Sequence, residues 1–306
     1  MPSSDSLLVR LSPIIFVFLW ATGYPAARFG TSDADPFTFL CVRFAIVALL
    51  LSLYVVLIMR PRQPDWNQIG HSLIIGVLMQ GIYLGGVFFA VSRGMPAGIA
   101  ALVVALQPFL TAIAAIFVLD ERLSLKRTVF FLGALFGIFM VLFPDFDFAR
   151  AIPGVTPLTL ASALLSPLAI SIGAVYQKRC VTSLNLWVAT AAQFTGAAII
   201  MGVMSLLFED QTLVWTPATF WSLVWLVVVL SVGAVALLMY LIRQGNSSSV
   251  ASLFFLVPIV SMFMTWLLFN ETINLVQMIG SLIVVVCVAL SSRYGEAAVP
   301  NKVPRA

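Results

Sequence analysis

Few residues in this chain could do chemistry, and most of them lie deep inside apolar runs. Trp20, Tyr24 and Arg28 recur at i, i+4 and i+8 and so share one helix face. Gln80, Tyr83, Gln107, Ser162, Ser166 and Gln193 are uncharged polar groups set in long hydrophobic stretches. Arg43 is the one cation well inside such a stretch, about 10 Å from Pro36 at the helical rise of roughly 1.5 Å per residue. Hydrolytic chemistry lacks its parts. There is one histidine, His71, and no HExxH, GxSxG or P-loop pattern. Cys41, Cys180 and Cys287 have neither paired spacing nor nearby histidines, so no disulfide, metal site or cofactor is expected, and no enzyme. What these groups can do is bind: amides and hydroxyls by hydrogen bonds, rings by stacking, and Arg43 by holding an anion.

The elements that must position them are membrane helices. The 306 residues are 61% hydrophobic and 9% charged, with mean hydropathy +1.09. A soluble chain would carry about a quarter charged residues. A spanning helix needs about 20 apolar residues, and ten candidates emerge, at 12–29, 36–59, 69–92, 96–118, 127–143, 157–178, 185–208, 217–242, 247–269 and 273–292. The first apolar run follows Arg10 and lacks a small-residue cleavage site, so it is expected to be a retained helix. The joins are short and leave no room for a soluble domain.

Basic residues test the span count, because cytoplasmic loops carry the excess. With ten spans, twelve of the sixteen lysines and arginines fall on the side of the amino terminus and only Arg28, Arg93 and Arg150 on the other, with Arg43 inside a span. Both termini are therefore expected in the cytoplasm. The net charge of +4 reports topology and not nucleic-acid binding.

The chain is also a duplication. Adding 150 carries Arg93 onto Arg243, Pro108 onto Pro258, Leu119-Asp120-Glu121 onto Phe269-Asn270-Glu271, Phe44 onto Phe194 and Arg28 onto Lys178. Residues 1–150 and 151–306 thus form two repeats of five spans. Five is odd, so the second repeat enters the membrane from the opposite face. Inverted repeats of this kind place a substrate site near the midplane and alternate its access by rocking. Pro108 and Pro258 would each remove a donor in mid-helix and act as matched hinges.

Each polar residue has a bland reading beside the functional one. His71 reads as interfacial, with a proton-relay role as the other reading. Trp20 lies about 12 Å into its span, deep enough to wall a cavity or simply to pack. Arg43 could pair with Asp33 or Asp35, or capture a substrate carboxylate, and its repeat partner Gln193 lacks the charge. Any one amide or hydroxyl could be interhelical glue, worth about 0.6 kcal/mol on average. Taken as a set, Trp20, Tyr24, Arg43, Gln80, Tyr83, Gln107, Ser166 and Gln193 suit a shared substrate cavity. Gly133/Gly137 and Gly81/Gly85 allow close helix contact, within this chain or with a second copy.

The ordered set of ten spans, fourth-helix prolines, closing glutamates Glu121 and Glu271, Leu19-Trp20-Ala21-Thr22-Gly23, and the Pro36 to Arg43 stretch resembles the EamA family of the drug/metabolite transporter superfamily. Phe130 departs from the family's usual glycine, which Gly280 supplies in the second repeat. The resemblance, closest to bacterial aromatic amino-acid exporters, implies a multi-pass plasma-membrane carrier with a central cavity. Its expected partners are a small-molecule substrate and the lipid bilayer. Two other functions fit the same composition: efflux of lipophilic cations, and a non-transporting scaffold or sensor. No acid lies deep inside a span to attract a cation, and only the terminal Glu121 and Glu271, Arg43 and His71 are available to carry a proton, so facilitated, uncoupled exchange stands beside coupled transport as an expectation.

Overall fold

The computed structural model describes residues 7–60, 65–107, 109–111, 113–114, 125–142, 152–234, 237, 241, 256–270 and 274–293. These are almost wholly helical: α1 (Leu7–Ala21), α2 (Gly23–Gly30), α3 (Pro36–Met59), α4 (Trp66–Ser92), α5 (Ala97–Val104), α6 (Leu125–Leu142), α7 (Pro157–Cys180), α8 (Leu186–Phe208), α9 (Pro217–Ala234), α10 (Val257–Phe269) and α11 (Leu275–Arg293). Helices α3, α4, α7, α8 and α9 are each long and apolar enough to cross a membrane. Shorter apolar helices occupy the other expected stretches. Pro108 and the closing Glu121 and Glu271 lie outside the described residues.

Local sequence sets several of these boundaries. Proline opens α3, α7 and α9 at Pro36, Pro157 and Pro217, where its missing N–H costs nothing. Thr156 and Thr216 accept from the N–H of Thr159 and Thr219, and Asn185 from that of Trp187. Pro258 is the second residue of α10, in its first turn and not mid-helix within the described segment. The first expected span is interrupted. Its two helices, α1 and α2, are joined at Thr22, whose hydroxyl turns back onto the Leu19 carbonyl. Interruptions also occur within α4 and α9, which run as π-helix over Val77–Ile82 and Trp225–Ala234. Adding 150 to the first range places it inside the second.

Packing follows the duplication. Helix α3 packs on α8, α6 on α11, and α5 on α10, each pair joining repeat-equivalent helices. The contact of α4 with α7 has its counterpart in that of α9 with α2. Antiparallel order in α3 and α8 is fixed at both ends: Thr38 meets Ser205 and Glu209, while the tilted rings of Tyr54 and Trp187 touch. Between them the repeat-equivalent rings of Phe44 and Phe194 touch, with centroids 5.8 Å apart. A local two-fold axis therefore passes between these rings.

Glycine permits the closest approaches. A Cβ on Gly76 would overlap the Gln193 carbonyl, and one on Gly196 the Leu73 carbonyl, so α4 and α8 meet backbone to backbone. Gly81 and Gly85 face Ile200 and Met201 of α8, and Gly133 and Gly137 face Cys287 and Gly280 of α11, so both GxxxG pairs pack within the chain. On the outer surface Leu57 and Ile58 of α3 and Leu206, Leu207 and Phe208 of α8 are exposed, as suits helices whose solvent is hydrocarbon. Gly76→Ala and Gly196→Ala should each destabilise the protein by about 2 kcal/mol through overpacking. The check is thermal unfolding in detergent against Gly70→Ala, where a Cβ meets nothing within 4 Å and no change is expected.

Candidate functional site

Three side chains named from sequence converge at the interrupted helices. Arg43 on α3 is 5% exposed, and its Nη2 donates to Ser231 Oγ at 3.1 Å, inside the π-segment of α9. Tyr83, just beyond the π-segment of α4, lies beside the Arg43 guanidinium and shares a hydrogen bond with Tyr24 of α2. Tyr24 is buried. Next to it the α1/α2 break is held across the repeats, Trp225 Nε1 donating to the Thr22 hydroxyl at 2.8 Å. Trp20, half-buried, packs against Phe16 with centroids 5.3 Å apart. The ion pair expected of Arg43 is absent among the described residues. Asp35 accepts from the Thr212 N–H at 2.8 Å and Asp33 from the Thr216 and Ser32 hydroxyls, tying two loops together instead.

The remaining expected residues are held elsewhere. Ser166 is fully buried against Gly86 and donates to the Ser162 carbonyl, while Ser162 donates to the Gly86 carbonyl, so this pair fastens α7 to α4. The Gln107 carbonyl accepts from Ser171 at 3.0 Å and from Thr111 at 2.8 Å. Gln193 is buried and its amide reaches Gln177 at 3.4 Å. Gln80 is half-buried within the π-segment of α4. His71 Nδ1 and the Tyr176 hydroxyl are 2.7 Å apart. Sequence reasoning missed Ser231, Thr22 and Trp225. Ser231 carries the same signal as Ser162 and Ser166, a hydroxyl deep in an apolar run, and Gly23 directly after Thr22 marks a weak point in a helix.

Polar clasps close the bundle at both ends. At one, the Glu209 carboxylate accepts from the Phe37 and Thr38 N–H groups at 2.8 Å each and from the Thr38 hydroxyl at 2.9 Å, capping α3 from the end of α8. At the other, Gln68 Oε1 accepts from the N–H groups of Thr182, Ser183 and Leu184, joining the start of α4 to the loop before α8. Hydrogen bonds from the Gln68 N–H and amide hold the exposed Asp65 carboxyl below its usual range. Its share of stability is present above the ordinary aspartate pKa and is lost as pH falls through that lower value. A cavity of about 250 Å³ opens beside Arg28, Ile99, Met262, Thr265 and Gln277, and none of the eight expected site residues lines it.

The sequence pattern of the EamA-like transporter family matches this chain twice, over residues 9–143 and 158–293. The chain belongs to that family. It is 26% identical over 282 residues to the probable amino-acid metabolite efflux pump of Escherichia coli K12, covering 89% of this chain and 90% of that protein. Its likeness to the pump of the same description in Salmonella typhimurium LT2 is also 26%, over 288 residues, 89% of this chain and 90% of that one. The uncharacterized transporter YoaV of Bacillus subtilis is 22% identical over 90% of this chain and 94% of its own. A solved crystal structure superposes with TM-score 0.60 at 22% identity, over 94% of this chain and 98% of that one, a likeness of fold. The EamA-like chain is thus a membrane transporter, and members of such a family are not enzymes.

The Glu209 clasp gives a direct test. Glu209→Ala removes three hydrogen bonds from the start of α3, so stability should fall by about 1–2 kcal/mol, as for loss of a helix cap. A cysteine replacing Ser205 should then react faster with an aqueous maleimide in the Glu209→Ala background than beside intact Glu209.

Proposed function

We propose that the chain is a secondary transporter that exports amino acids, aromatic ones included, and related small metabolites across the plasma membrane by alternating access. The observation that carries this reading is the meeting of Arg43, Tyr83 and Tyr24 at helices that break or unwind, beside the two-fold axis between Phe44 and Phe194. Discontinuous helices at a repeat interface are where carriers of this architecture bind cargo. Aromatic rings suit an aromatic side chain, and hydroxyls with a cation suit the polar end of an amino acid. The named efflux function of two relatives agrees.

The antiparallel packing of repeat-equivalent helices supports an inverted arrangement, because a two-fold axis along the membrane normal would leave such helices parallel. On this reading ten spans form two repeats, 1–150 and 151–306, with both termini in the cytoplasm. Pro108 then serves as a hinge, and Pro258, in the first turn of α10, marks where that helix begins. The loops holding Asp33, Asp35 and Glu209 lie outside and the Gln68 clasp inside. Lipophilic-cation efflux is disfavoured, since Asp33, Asp35, Asp65, Glu209 and Asp210, the acids among the described residues, all lie at helix ends or in loops. The same absence favours uncoupled transport.

Proteoliposomes holding the purified protein should take up labelled phenylalanine saturably, with competition from threonine and methionine but not from tetraphenylphosphonium. Flux no greater than in protein-free vesicles would overturn the amino-acid reading. Concentrative uptake that collapses when the proton gradient is dissipated would overturn the uncoupled one.

A further inference from the structure

The guanidinium of Arg43 is incompletely paired. It has five N–H donors; Nη2 binds Ser231 Oγ, whereas Nε is buried with no hydrogen-bond partner among the described residues. A cation at such depth is costly unless something completes it. Of the described carboxylates near that end, Asp33, Asp35 and Glu209 bond to loop or helix-end groups, and Asp210 follows Glu209 beyond the end of α8. Nor does the Phe44 ring, 5.5 Å from Cζ, satisfy a donor. Ser231 meanwhile donates its own hydrogen to the Leu226 carbonyl at 3.0 Å, so it meets Arg43 as an acceptor and fixes one corner of the guanidinium. The Tyr83 hydroxyl, paired with Tyr24, lies within electrostatic reach of Arg43.

The donors of a fixed planar fork match a carboxylate, which accepts such a fork through both oxygens. Aromatic neighbours, Phe44 with Phe194 and Tyr24, favour an anion with an apolar body over strongly hydrated phosphate. The site is single. Under the repeat Arg43 corresponds to Gln193, whose amide reaches Gln177, and Ser231 to Gly81. We propose that Arg43, steered by Ser231 and flanked by Tyr83, binds the free carboxylate of the cargo, so that the protein accepts carboxylic acids and amino acids and rejects their amides, esters and decarboxylated amines. This selectivity rests on the transport reading above, although binding of the anion does not.

Two measurements separate them. In detergent, 3-phenylpropionate should raise the unfolding temperature of the protein saturably, whereas 3-phenylpropionamide, phenethylamine and inorganic phosphate should not. Arg43→Gln should abolish the effect. Arg43→Lys and Ser231→Ala, which test the site should the glutamine variant fail to fold, should each raise the half-saturating concentration about tenfold, the worth of one charge-assisted hydrogen bond. In proteoliposomes phenylalanine should be carried and phenylalaninamide not. Equal stabilisation of wild type and all three variants, or equal stabilisation by acid and amide, would overturn the carboxylate site. If Arg43→Gln carries phenylalanine as well as wild type, the site falls while the amino-acid reading stands. If phenylalanine is not carried but 3-phenylpropionate stabilises through Arg43, the site stands and the amino-acid reading falls.

Discussion

A polar group in hydrocarbon has no water to turn to, so each backbone amide and each buried side chain must be completed by the chain itself. The antiparallel seam of α3 and α8 is where this constraint shapes the rest. Its rings meet at Phe44 and Phe194, its ends are tied by Glu209 at one side and by Tyr54 on Trp187 at the other, and α4 enters against α8 through Gly76 and Gly196. Helices pressed this closely gain dispersion along their length and cannot slide without opening carbonyl-to-glycine contacts. The seam can therefore act as a fixed reference against which less regular helices move.

Those less regular helices are α1/α2, α4 and α9; α3 is π-helical only in its last turn, Val55–Met59. A π-segment shifts the hydrogen-bond ladder by one residue and turns side chains away from the faces they would otherwise occupy. Ser231 shows the effect locally, since its hydroxyl bonds the carbonyl five residues back, at Leu226, and its acceptor side is then presented to Arg43. In α4 the same irregularity ends at Tyr83. The Thr22 break completes the set by letting Tyr24 approach Tyr83 while Trp225 bonds the Thr22 hydroxyl. Unwinding thus has a local chemical role here: it sets Ser231 on Arg43 and leaves Tyr83, bonded to Tyr24, within electrostatic reach of the same arginine.

Much of this was legible in the sequence. Apolar runs gave the helices, the 150-residue offset gave the pairing of equivalents, and the depth of Arg43, Tyr24 and Tyr83 marked them as unusual. What could not be read were partners across helices. The periodicity of a single helix does not say that Arg43 will meet Ser231 and not Asp33, or that Ser166 is glue on Gly86, because those outcomes depend on rotation and on close approach at glycine. Nor does an apolar pattern announce a π-turn. Val77–Ile82 reads as ordinary helix until packing against α7 and α8 selects a wider turn.

The duplication is faithful in scaffold and unfaithful in chemistry. Pairs such as Phe44 with Phe194 and the π-segments of α4 and α9 keep their counterparts, yet Trp20, Tyr24, Arg43 and Tyr83 correspond to Ile170, Ala174, Gln193 and Gly233. These four members of the cluster thus come from the first repeat, and at the same positions the second has uncharged residues, contributing Phe194 and Ser231 from elsewhere. A symmetric frame supplies two equivalent conformations, and cargo bound on its axis would meet the same groups twice. Cargo bound beside Arg43 is held off the axis by one repeat. The two repeats then have different tasks, the first gripping and the second, through Ser231 and Trp225, bracing the helices that do so.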